Sequence, residues 1–174
     1  MNRALTVMVM ASMLLLFSAP AGTAEEGTGQ PVIITFESTE AFGDWTLHCG
    51  KDQQGTERCI LGIGMWDEEK KRRIAGVVIQ KAPDGTGMLA RFSLPLGVSL
   101  LRPAALQMGD KIHGFPFTHC DQQGCHGNLL LNDELLKQFR DLNEGVLLMK
   151  LLDERTVRIP FSLRGTRAGI ARVK

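Results

Sequence analysis

From Asp44 the chain alternates, with Trp45, Leu47 and Cys49 on one side and Thr46 and His48 on the other. That period is the mark of a half-buried strand. Polar, turn-forming residues fill Gly50 to Arg58. Cys59, Leu61, Ile63 and Met65 then resume the alternation, so the two runs predict a hairpin. Asp67 to Lys71 reads as a solvated turn, and Arg73 to Gln80, rich in Ile and Val, as a third strand closed by Ala82-Pro83-Asp84-Gly85. Met88 to Leu94 is a fourth strand, ended by Pro95. Leu96 to Leu101 and Leu106 to Phe115 add further strands, interrupted by Pro103 and by Gly109-Asp110.

Only one segment has helical spacing. Asn132 is placed to cap, Asp133 and Glu134 suit the positive N-terminal end, and Leu135, Leu136, Phe139 and Leu142 form an apolar stripe. Gly145 suits the position just beyond the end, which gives a helix over 132–144. Val146 to Leu152 and Thr156 to Phe161 predict a last hairpin around Asp153-Glu154. Together these elements predict a mainly β fold, a single antiparallel β-sandwich or barrel-like domain over residues 42–174 with one helix.

The first residues follow a different pattern. Met1-Asn2-Arg3 is a short basic start, Ala4 to Phe17 is almost wholly apolar, and Ser18 to Ala24 is rich in small residues. The apolar run is short of the about 20 residues that span a bilayer. Residues 1–24 therefore read as a cleaved secretory signal, with Ala21 as a competing cut site, and 25–41 as a flexible polar, Gly-rich lead. A periplasmic or secreted location follows. Removing the signal takes away Arg3 alone among 20 basic residues and leaves the charge balanced against 19 acidic ones. A neutral chain without Tyr and with only Trp45 and Trp66 offers little to nucleic acid. Trp45 is placed in the core by its alternation; Trp66, at a strand end beside charges, is the better candidate for an exposed contact.

All four Cys lie beyond the signal, and in an exported chain they predict two disulfides. Cys49 ends one strand and Cys59 begins its neighbour, while Cys120 and Cys125 enclose a polar turn. Local pairing, Cys49–Cys59 and Cys120–Cys125, is expected. Zinc is the alternative, since His48, His119 and His126 each adjoin a Cys. Neighbours on a strand point to opposite faces, however, and there is no Cys-x-x-Cys knuckle for either zinc or redox chemistry.

At this point the residues resemble a family. Asp44-Trp45-Thr46-Leu47-His48-Cys49 with Cys59, Leu94-Pro95-Leu96-Gly97-Val98, and Pro116 to Cys125 are similar to segments of the invasion-associated locus B proteins. Gly145-Val146-Leu147 and Ile159 to Gly165 resemble that family's ending. The likeness runs from Phe42 to Ala168 and rests on the order and spacing of these segments. His126 departs from the small residue usual there, and Thr166 from the usual aromatic. The resemblance implies an exported α-proteobacterial envelope or secreted protein, linked in pathogenic members to host-cell entry, with no established catalytic mechanism.

The rest of the chain adds no enzyme signature. There is no Gly-x-Ser-x-Gly, His-Glu-x-x-His or P-loop, and Gly62-Ile63-Gly64 lacks the third Gly of a dinucleotide fingerprint. Asp67-Glu68-Glu69, Asp153-Glu154 and His113 read as turn or surface residues rather than acid–base groups. The expectation is a non-catalytic binding protein without cofactor, whose partner is an unidentified protein or an envelope or host-surface ligand; a periplasmic enzyme or Cys/His metal binder is the alternative. One charge asymmetry stands out. Arg155, Arg158, Arg164, Arg167, Arg172 and Lys174 follow Glu154 with no acidic residue among them. Arg164, Arg167 and Arg172 are thus candidates for weak contact with an anionic membrane surface or partner. The competing account is that Arg155 and Arg158 pair across the last hairpin with acidic residues elsewhere and that the tail is loose.

Overall fold

The computed structural model describes residues 33–174, so the signal call over 1–24 and most of the lead lie outside the described residues. The elements are β1 (Thr35–Phe42), β2 (Trp45–Lys51), β3 (Glu57–Asp67), β4 (Arg72–Lys81), β5 (Met88–Leu94), β6 (Ala104–Met108), β7 (Lys111–Phe115), β8 (Phe117–Asp121), β9 (Gly124–Leu131), α1 (Asp133–Asp141), β10 (Glu144–Lys150), β11 (Thr156–Ser162) and α2 (Thr166–Ile170). One antiparallel sheet has the order β1-β2-β3-β4-β5-β9-β8, the other β11-β10-β6-β7. Their inner faces meet as a sandwich. Leu47, Leu61, Val77, Ile79 and Phe92 of the larger sheet share one core with Leu106, Met108, Leu147 and Met149 of the smaller. Leu135 and Phe139 complete it from α1.

Trp45 spans these layers. Its ring is fully buried and meets Phe139 of α1 at 6.5 Å and Phe161 of β11 at 6.4 Å, both edge-on. Its indole N–H donates to the Ser162 carbonyl at 2.9 Å. One residue pair thus joins the larger sheet to the smaller.

Four sequence expectations need correction. The lead expected over 25–41 is a strand from Thr35 onward, running antiparallel to β2 as far as Phe42 opposite Trp45. Its side chains are nearly all exposed, so it carries no apolar alternation; the backbone ladder holds it. Leu96–Leu101 is a loop touching the smaller sheet through a single bridge, Val98 to Leu151, because Pro95 and a left-handed Gly97 (φ 90°) end the run. The helix starts as expected, with the Asn132 side chain accepting from Leu135 N–H at 2.9 Å, but stops at Asp141. Gly145 is not its terminator: it lies inside β10, where a Cβ would come within 2.7 Å of the Phe161 ring. The strands β8 and β9 flanking the second cysteine turn, and the short α2, were not foreseen.

The β2–β3 turn is organised by Asp52, a buried carboxylate that accepts from Thr56 N–H (2.8 Å), Gln54 N–H (3.0 Å) and Arg58 Nε (3.0 Å). Burial pushes this carboxyl up, yet the donors of Thr56, Arg58 and Gln54 together outweigh it and hold it below the ordinary range. A depressed folded value means that the stabilisation is full above the unfolded value and fades as pH falls toward the folded one. Asp52→Asn is therefore expected to lower the urea midpoint at pH 7, with the gap from wild type closing as pH drops below about 3.9; a gap independent of pH would contradict this role. A second expectation concerns Gly165, whose φ is 100° and whose added Cβ would sit 1.8 Å from the Phe42 carbonyl oxygen. Gly165→Ala should lose more than about 1 kcal/mol in equilibrium unfolding.

Candidate functional site

Cys49 and Cys59 are directly opposite in the β2–β3 ladder and Cys120 and Cys125 in β8–β9, and each pair is bonded. This is the pairing expected from the sequence. Each disulfide closes a turn that an aspartate also orders: Asp52 in the first, and in the second Asp121, whose Oδ1 accepts from Gln123 N–H (2.7 Å) and Gly124 N–H (3.1 Å). The Gln123 amide above all, with His126 beside it, holds Asp121 below the ordinary carboxylate range. Cys49, Glu57 and Cys59 lie within 4.8 Å of one another, but bonded sulfurs have no thiolate to offer a metal.

The basic tail is balanced in three dimensions. Arg164 grips Asp44 through two contacts at 2.9 and 3.2 Å, Arg167 meets Asp141 at 2.6 Å, and Arg172 approaches Glu40 at 3.4 Å. Arg155 pairs with Asp153, Lys174 with Glu57, and Arg158 donates to the Gln107 side chain. Each carboxylate partner of Arg164, Arg167 and Arg172 comes from an earlier element, which is why the sequence showed only the excess.

The groups weighed for acid–base work lie in three separate places. Asp67 accepts from Lys70 N–H in the β3–β4 turn, Asp153 sits in the β10–β11 turn, and His113 on β7 lies 3.2 Å from the Gln138 side chain. A depression of about 330 Å³ on α1 is lined by Glu134, Lys137, Gln138, Asp141 and Leu142, side chains of one helix rather than a convergent site. Among the described residues no helix is long and apolar enough to cross a membrane.

Two surface features remain. Leu96, Leu100, Leu101 and Leu152 are between 57% and 93% exposed. They share one rim, because Leu152 N–H donates to Gly97 and Ser99 N–H to Lys150, drawing the loop against the end of β10. Reading 96–101 as a strand hid this exposure. The second feature is a histidine pair: His119 lies opposite His126, with rings stacked at 4.6 Å, and Asp121 Oδ2 is 3.1 Å from His126 Nε2. It was legible in principle, because pairing Cys120 with Cys125 puts the next residues outward, His119 and His126, opposite each other. Trp66 is exposed, as its place at a strand end implied.

Comparisons with known proteins agree with this architecture. A family model described as "Invasion associated locus B (IalB) protein" matches residues 45–174. The crystal structure of invasion associated protein B from Bartonella henselae is similar in fold, with a TM-score of 0.70 at 19% identity, over 78% of this chain and 94% of that one. No curated protein sequence matches the chain significantly.

Removing either disulfide as a Cys→Ala pair should cost about 2–3 kcal/mol on the chain-entropy account, slightly more for Cys49/Cys59 because its loop is longer. Non-reducing peptide mapping should recover only the two local links; a Cys49–Cys125 peptide or free thiols throughout would overturn the pairing.

Proposed function

The chain belongs to the invasion associated locus B family, and from that premise we propose that it is an exported, non-catalytic binding protein of the bacterial envelope whose partner is a protein. The observation that carries the binding role is the rim of Leu96, Leu100, Leu101 and Leu152, apolar surface that folding leaves in water. Export is supported by two disulfides, which persist in oxidising compartments, together with the basic and apolar start of the sequence. A protein partner is favoured over anionic lipid because the rim is bordered by both signs of charge, including the Asp153–Arg155 pair at 2.7 Å. An apolar centre with a mixed polar border is the usual anatomy of a protein interface. Arg164, Arg167 and Arg172 are the weaker candidates for an anionic surface, since each guanidinium already faces a carboxylate. From the relative named for invasion this reading takes only a contact-making role outside the cytoplasm.

The test compares wild type with a Leu100→Asp/Leu101→Asp variant as bait in crosslinking pull-downs from envelope extract and from host-cell membrane extract. Leu100 and Leu101 are 58% and 93% exposed and lie outside the core, so circular dichroism and thermal unfolding should be unchanged. A partner that wild type retains and the variant loses by on the order of tenfold is expected, a change of about 1.4 kcal/mol in binding. Identical capture by both baits would remove the rim from the function.

A further inference from the structure

The geometry points to a divalent transition-metal site formed by His119, Asp121 and His126 at the β8 edge of the larger sheet. The antiparallel ladder sets His119 opposite His126, one position outward from the Cys120–Cys125 disulfide. That disulfide and the Asp121 turn fix the hairpin on which all three donors stand. Asp121 uses Oδ1 for the Gln123 and Gly124 amides, which leaves Oδ2 pointed at His126 Nε2, 3.1 Å away.

The imidazoles are oriented as ligands are. His119 Nδ1 lies 3.0 Å from the Thr118 hydroxyl and His126 Nδ1 lies 3.3 Å from the Ser93 hydroxyl. Either hydroxyl can accept from Nδ1–H, and in that tautomer the other ring nitrogen, Nε2, is left to coordinate. His126 Nε2 is shielded from solvent and, despite the nearby Asp121 oxygen, has no well-aligned hydrogen bond. When Nδ1–H donates to Ser93, that nitrogen presents a lone pair to the Asp121 carboxylate. In that tautomer two acceptors face each other, one of them shielded from solvent, and a cation between them would satisfy both.

The three donor atoms lie within 4.8 Å of one another. Ligands at 2.0–2.1 Å from a tetrahedral ion are about 3.4 Å apart, so the donors must adjust slightly, with the Asp121–His126 pair opening from 3.1 Å. His119 is exposed and can swing, whereas His126 and Asp121 are held by their neighbours. Two imidazoles and one carboxylate suit zinc, copper(II) or nickel(II); magnesium and calcium favour all-oxygen sets. Three protein donors also leave a coordination position for water or for a donor from another molecule. The inference does not rest on the leucine rim.

The competing account is an ion pair between protonated His126 and Asp121, which binds no metal. Equilibrium dialysis of the oxidised chain against zinc chloride separates the two, after thiol titration has shown both disulfides intact. Saturable uptake of one zinc per chain is expected, with cobalt(II) giving visible absorption of a four-coordinate site. His119→Ala, His126→Ala and Asp121→Asn should each weaken uptake at least tenfold, Ser93→Ala by about tenfold through the lost outer hydrogen bond, and His48→Ala not at all. Absence of saturable uptake, uptake indifferent to His119→Ala with His126→Ala, or uptake only after reduction of the cysteines would each overturn the site.

Discussion

The arrangement of both sheets depends on how Trp45 is seated. A large indole at the first position of β2 can be buried only if something accepts its N–H, and the acceptor is the Ser162 carbonyl at the end of β11. The chain reaches that point from both sides at close quarters. Gly43 turns β1 into β2 with φ 58°, and a Cβ there would come within 2.5 Å of the Arg164 carbonyl oxygen; Gly165 stands as close to Phe42. Asp44 N–H donates to Arg164 in the same place, at 3.1 Å. Two glycines are needed because two backbones approach where no side chain fits.

Once the backbones meet there, the last residues have little choice of path. Thr166 is buried, and its one hydroxyl proton is shared between the carbonyls of Phe139 and Leu163, tying the end of α1 to the start of α2. Gly169 lies against Leu61, Ile170 and Val173 are buried, and Lys174 exchanges backbone hydrogen bonds with Cys59. The tail therefore lies across the larger sheet beside the first disulfide. Its arginines end up next to Glu40, Asp44 and Asp141 because the backbone delivers them there. Exposed ion pairs of this kind contribute at most about 1 kcal/mol each, so they follow the fold rather than cause it.

What could be read from the sequence follows the same division. The β2–β3 hairpin, β4, β5 and the start of α1 were legible because one face of each is buried, and burial writes a period into the side chains. β1 was not, since its partners are backbone groups and its side chains face water. Gly145 misled for a related reason: a glycine after a helical run suits a terminator, but this one makes room for Phe161. The first cysteine pairing was legible because the predicted hairpin opposes its residues, the second because Cys120 and Cys125 enclose a short polar turn. Charge was the least legible property, since it depended on which distant carboxylates the folded tail would meet.

The hairpin that carries the histidine pair adjoins the strand that leads into the leucine rim. Leu94 of β5 is opposite Cys125, and two residues further on Leu96 begins the apolar rim. Gly124 fits beneath this stretch because a Cβ would stand 2.2 Å from the Leu94 carbonyl oxygen. The hairpin that carries His119, Asp121 and His126 is thus packed against the strand that leads into the exposed leucines. No side chain fits between Gly124 and Leu94, so the disulfide-pinned hairpin and the strand that leads into the leucine loop are held at one close spacing.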